Sequence, residues 1–148
     1  MKKLINLIFF LSVILIGCQQ DTTEKNLDEN STKERVYSSN WDGTPVIVIK
    51  RNENGTNEKI REITDTEEVA TLINELKNAD WEENVVVDIS PPDYTFTWNS
   101  FKHSVWINEE YEYKRIELKI DGQSNWGTLS KKSSEIVYEI LIGVDIQK

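Results

Sequence analysis

The sequence predicts an α+β domain, an antiparallel sheet backed by two helices in a two-layer arrangement. Three observations carry that expectation. Tyr94-Thr95-Phe96-Thr97-Trp98 and Phe101 to Ile107 alternate in polarity on either side of Asn99-Ser100, the pattern of two strands joined by a tight turn. Val69, Leu72, Ile73 and Leu76 recur at the spacing of one helix face, and Ile136, Val137, Ile140 and Leu141 do so again. Helices combined with hairpins favour an antiparallel sheet with the helices on one side.

The elements follow in order. Val46-Ile47-Val48-Ile49 is a β-branched run, and Ile60 and Ile63 alternate imperfectly within Lys59 to Thr64. Asn54-Gly55 between them reads as a hairpin turn. Asp65 or Thr66 caps the first helix, with Glu67 and Glu68 in its first turn and Lys77 near its end, each placed to suit the helix dipole. Val85 to Ile89 reads as a strand ended by Pro91-Pro92.

In the central hairpin, pairing Trp98 with Phe101 sets Phe96 opposite His103 and Tyr94 opposite Val105. Tyr94, Phe96, Trp98, Phe101, His103, Val105 and Ile107 then share one face, and Thr95, Thr97, Lys102, Ser104 and Trp106 share the other. A turn over Asn108 to Tyr111 pairs Ile107 with Glu112, His103 with Ile116 and Phe101 with Leu118, which keeps the apolar face continuous. Asp121-Gly122 is the next turn signal, and Ser124 to Leu129 reads as a final short strand. Lys131 to Ile142 forms the last helix, stopped by Gly143. The order is ββα-ββββ-α.

The N-terminus is an address. Lys2 and Lys3 precede Leu4 to Ile16, a run apolar apart from Asn6 and Ser12. It is shorter than the roughly 20 residues of a membrane span and has the length of a signal-peptide core. It ends in Leu15-Ile16-Gly17-Cys18, which resembles the lipobox of bacterial lipoproteins. That resemblance implies cleavage between Gly17 and Cys18 and a diacylglycerol on the Cys18 sulfur. The alternative is an uncleaved anchor. The domains expected are a signal peptide at 1–17, the lipidated Cys and a flexible tether at 18–40, and a single α+β domain at 41–148. Residues 19–40 are too polar to order themselves. Loss of residues 1–17 takes the net charge from −9 to −11, because Lys2 and Lys3 leave with it. Such a body is repelled by anionic lipid and by nucleic acid.

Ala79-Asp80-Trp81, Pro91-Pro92-Asp93-Tyr94, Val105-Trp106-Ile107, Asp121-Gly122-Gln123 and Leu129-Ser130 together resemble the small YhfM-like lipoproteins of Bacillus and relatives. The resemblance spans about residues 79–142 plus the lipobox. The family has no assigned biochemical activity. The resemblance therefore implies an extracytoplasmic domain held by lipid on the outer face of a Gram-positive cell membrane, and no catalytic residue.

Catalytic signatures are mostly absent; carboxylates are numerous enough for a glycosidase-like pair, but a domain of 108 residues with short loops offers little cleft for one. No nucleophile elbow, zinc-protease helix, P-loop or dinucleotide fingerprint occurs, and the single Cys is committed to lipid. The sole histidine, His103, falls on the apolar face, so a core role is expected of it. Residues 65–93 carry nine acids against Lys77 alone, without the spacing of a calcium loop, which reads as a solvated face. No enzyme activity, cofactor or metal is expected.

One surface stands out. The same register sets Trp106 beside Tyr113, Ser104 opposite Arg115 and Lys102 opposite Glu117, and the Asp121-Gly122 turn puts Trp126 opposite Glu117. Trp106, Tyr113, Arg115 and Trp126 then form an aromatic and cationic patch, residue types typical of binding anchors. If open, it suits a protein or peptide partner, or alternatively a cell-wall glycan or small molecule. If a helix or the N-terminal hairpin covers it, it is a second core.

Overall fold

A computed structural model describes residues 36–83, 85 and 90–143. Within them the chain forms β1 (Val46–Arg51), β2 (Asn57–Ile63), α1 (Thr66–Lys77), β3 (Asp80–Glu82), β4 (Tyr94–Trp98), β5 (Phe101–Asn108), β6 (Arg115–Ile120), β7 (Trp126–Thr128) and α2 (Lys131–Ile142). The strands make one antiparallel sheet in the order β2-β1-β4-β5-β6-β7-β3. The helices pack against each other, and α2 also packs on β6 and β2. This is the expected α+β fold.

Local chemistry fixes the element ends. Asp65 accepts hydrogen bonds from the Glu67 and Glu68 amides at 3.0 and 2.9 Å, and so caps α1. Ser130 caps α2, and Gly143 ends it in the left-handed region at φ 75°. Asn99 and Ser100 both have positive φ, 45° and 69°, as a two-residue hairpin turn with the twist of its strands requires. The expected pairing of β4 with β5 holds at every position.

The sheet face toward the helices carries Val48, Phe96, Trp98, Val105, Ile116, Leu118 and Ile120, and the helices add Val69, Leu72, Leu76, Val137 and Leu141. Their burial is the main source of stability. His103 lies among them, fully enclosed.

Four expectations are corrected. First, the β5–β6 register is displaced by four residues. Ile107 pairs with Ile116 and His103 with Ile120, so Phe101 does not meet Leu118. The connection is the six-residue loop 109–114 rather than a turn over Asn108 to Tyr111. An even displacement leaves every side chain on its own face, so the apolar pattern alone does not distinguish the two registers. Second, among the described residues five strands, against the four of the expected order, lie between the helices. The added one is β3, whose Trp81 pairs with Gly127. A Cβ at Gly127 would approach the Trp81 ring to 3.1 Å, so glycine makes room for the indole. Third, the final strand is Trp126–Thr128, shorter than Ser124 to Leu129. Fourth, the expected tether runs too far. Val36 and Tyr37 are buried in the core, and the Asn99 side chain bonds Asn40 O at 2.7 Å and the Asp42 amide at 3.0 Å. The tip of the β4–β5 hairpin thus holds this segment against the body. Of the expected strand Val85 to Ile89 only Val85 is described, and it lies outside any strand.

Candidate functional site

The sheet face away from the helices carries the candidate residues. On β5, Trp106 pairs with Glu117 rather than with Tyr113, and Ser104 pairs with Lys119 rather than with Arg115. Lys102 bridges Asp121 at 3.2 Å instead of meeting Glu117. On β7, Trp126 pairs with Lys119, one face position from the expected Glu117. Trp106 and Trp126 stand on strands that flank β6, and their rings meet over it with centroids 4.9 Å apart. The Trp106 indole N–H donates to Ser90 O at 2.8 Å. Trp126 is only 8% exposed and Trp106 is half-buried. The two indoles therefore pack on each other, and Trp106 is tied to the backbone at Ser90.

Arg115 continues the strip along β6. Its guanidinium pairs with Glu117, whose carboxylate lies between it and Trp106 in the register. It also lies 3.7 Å from the centre of the Tyr111 ring, close enough for a strong cation–π contact. Arg115 Nε is buried without a partner among the described residues. Tyr113 is not on the sheet. It sits in the 109–114 loop with its ring 6.3 Å from that of Tyr111.

The structure thus brings Trp106, Trp126 and Arg115 onto one face, as expected, and displaces Tyr113 into the adjoining loop. Tyr111 is the residue the sequence pattern misses. At 44% exposure it is the one large hydrophobic side chain left open among the described residues. Its loop position carries no Gly or Pro to mark a turn, and an exposed tyrosine two residues from Tyr113 mimics strand alternation. Glu117 neutralises Arg115, so the surface is an aromatic anchor over an ion pair, not a cationic patch.

His103 is not available for chemistry at this face. Its Nδ1 lies 3.0 Å from Phe101 O, an acceptor only, so Nδ1 carries the proton. Nε2 then accepts from the Tyr37 hydroxyl at 3.0 Å. The ring stacks on Phe96 at 4.6 Å. Burial lowers its pKa to about 4, against the opposing pulls of the Phe101 carbonyl and Asp121. It is a neutral core histidine. Among the described residues no three His, Cys, Asp or Glu side chains converge as metal ligands, and no helix is long and apolar enough to cross a membrane. Gly17 and Cys18 lie outside the described residues.

No family model, curated protein or solved structure matches this chain.

Proposed function

We propose that this chain is a lipid-anchored extracytoplasmic lipoprotein whose folded domain binds a protein or peptide without catalysing a reaction. The anchor rests on Leu15-Ile16-Gly17-Cys18 after a basic start and an apolar run, and on the resemblance to YhfM-like lipoproteins over residues 79–142. The binding role rests on one observation. Tyr111 is exposed, yet the Arg115 guanidinium lies against its ring at 3.7 Å from the centre, and that guanidinium is paired in turn with Glu117. A pre-ordered aromatic anchor loses little conformational freedom when a partner covers it, which favours binding. The glycan reading draws less support, because Trp126 is buried and the two indoles pack against each other at 4.9 Å, tilted by 34°.

The test is a photo-crosslinking residue in place of Tyr111 in the full, membrane-bound chain. A discrete crosslinked partner is expected, and Arg115→Ala should weaken its capture by releasing the anchor. Crosslinks no different from those of a probe placed at Glu58, on β2, would count against the reading.

A further inference from the structure

The other side of the 109–114 loop opens onto a cleft at the end of the sheet, with a volume of about 1130 Å³. Its walls are the β1–β2 turn, the start of β4, the β5–β6 loop and Tyr138 of α2. Register fixes part of the floor. Lys50 pairs directly with Tyr94, so their side chains stand side by side on the helix-facing side of the sheet. Tyr138 is carried over by α2 at one turn from Ser134, whose hydroxyl accepts from the Ile116 amide at 3.1 Å and so seats the helix on β6. From the loop, the Lys114 ammonium lies 4.7 Å from the centre of the Tyr138 ring.

The hydrogen bonding of this floor has a direction. Lys114 Nζ donates to the Tyr138 hydroxyl oxygen at 3.1 Å. An ammonium has only donors, so the phenol must accept here, and its own hydrogen is left to point elsewhere. The contact also polarises that O–H and makes it a stronger donor. Tyr94 is half-buried beside it. Desolvation, then the neighbouring Tyr138 and Asp93, raise its pKa, so it keeps its proton and remains a donor. Asp93 is engaged, since its carboxylate accepts from the Ile107 amide at 2.7 Å. The cleft therefore offers phenol donors beside Lys114, with the exposed cations Lys50 and Arg51 along its β1 wall.

Acidic side chains line the same cleft. Glu53 stands on the β1–β2 turn, and Glu109 and Glu110 stand on the loop, all three exposed. Glu109 reaches Lys114 only at 3.6 Å with 71% of its side chain open to solvent, so that pair is loose. A simple anion meets these carboxylates and a chain of strong net negative charge. A simple cation meets the basic side chains of the same cleft. A ligand carrying both charges can satisfy both sets.

We propose that this cleft binds a zwitterionic ligand, an amino acid or short peptide. Its carboxylate rests on Tyr94, Tyr138 and Lys114 beside Lys50, and its ammonium faces Glu109 and Glu110. The site is separate from the Tyr111 surface and does not depend on that surface binding a protein. The volume of about 1130 Å³ lies just above the range of about 300–1,000 Å³ for small-ligand pockets, which accommodates several peptide residues.

The test is calorimetric titration of the full chain in detergent micelles with trialanine, N-acetyl-trialanine and trialanine amide. Trialanine should bind, and each capped form should bind at least tenfold more weakly, because one charge is missing. Tyr138→Phe keeps the ring and removes the hydroxyl, and should weaken trialanine at least fivefold while leaving the amide unchanged. Lys50→Gln, at an exposed strand position, should act in the same direction and serves if the helix substitution disturbs folding. Glu110→Gln should weaken trialanine and leave the N-acetyl form unaffected. Absence of trialanine binding at millimolar concentration, or equal binding of the capped peptides, would overturn the proposal.

Discussion

Tyr37 donates its phenolic hydrogen to His103 Nε2 at 3.0 Å, inside the core and across 66 residues of sequence. The direction follows from the other ring nitrogen, which is committed as donor to Phe101 O. The contact joins a residue of the expected tether to the middle strand of the sheet. The Tyr37 ring also lies about 6 Å from those of Trp81 and Trp98, so one side chain touches β3, β4 and β5. Burial raises the Tyr37 pKa, which keeps the phenol a donor. The folded body therefore includes residues the composition assigns to the tether.

Tyr37→Phe should destabilise the chain by about 1–3 kcal/mol, because it leaves an enclosed imidazole nitrogen without its donor. Tyr37→Ala should cost about 3–5 kcal/mol, since it also leaves a cavity. Urea melts of the purified chain check both. If Tyr37→Ala is neutral, the segment is not part of the folded body.

His103 should make stability depend on pH. Its folded pKa of about 4 lies below the ordinary value of 6.5. Between those values the unfolded chain takes up a proton that the folded chain refuses. Stability is therefore full above 6.5 and falls as pH drops toward 4. The loss reaches about 3 kcal/mol, at about 1.4 kcal/mol per pH unit. His103→Gln removes the titration while keeping a polar side chain, so its stability should fall less over that window than the parent's. Acidic groups contribute equally to both chains and cancel in the difference. Identical pH profiles would show that the imidazole is not enclosed as described.

Much of the fold is legible in the sequence because its strongest signals are local. Asn99-Ser100 fixes the β4–β5 register residue for residue, since a two-residue turn leaves no freedom. Asp65, Ser130 and Gly143 sit where helix caps belong. The β5–β6 register is not legible, because the 109–114 loop contains Tyr111 and Tyr113 in strand-like alternation and a slip of four residues preserves both faces. β3 is too short to show alternation, and its placement depends on the space at Gly127, a tertiary fact. At the candidate surface, parity alone places Trp106 and Trp126 together. That Trp126 is buried against Trp106, and that Tyr111 covers Arg115, depends on how the side chains and the 109–114 loop pack in three dimensions.

The anchor makes its own prediction. Cys18 is the one cysteine of the sequence, so a sulfur-linked lipid has no other residue to occupy. Cells expressing Cys18→Ser should yield a chain that takes up no labelled palmitate and is lost from the membrane fraction. Equal labelling of parent and variant would end the lipobox reading.

The aromatic face separates structural from binding roles by magnitude. Trp126 is 8% exposed, so Trp126→Ala should cost about 3–5 kcal/mol, as buried tryptophans do. Trp106 is half-buried and holds one hydrogen bond to Ser90 O, so Trp106→Ala should cost less. The two rings touch, and a double-mutant cycle should return a coupling of about 0.5–1.5 kcal/mol. Tyr111 is different. Its outer face is open and its inner face rests on a guanidinium, so Tyr111→Ala should shift stability by no more than about 1 kcal/mol. If Tyr111 anchors a partner, the same substitution should weaken capture by about 2 kcal/mol or more. Measured together on parent, Trp126→Ala and Tyr111→Ala chains, melts and partner capture therefore move in opposite order. A Tyr111→Ala chain that loses stability as Trp126→Ala does, or that loses neither stability nor capture, would remove Tyr111 as the anchor.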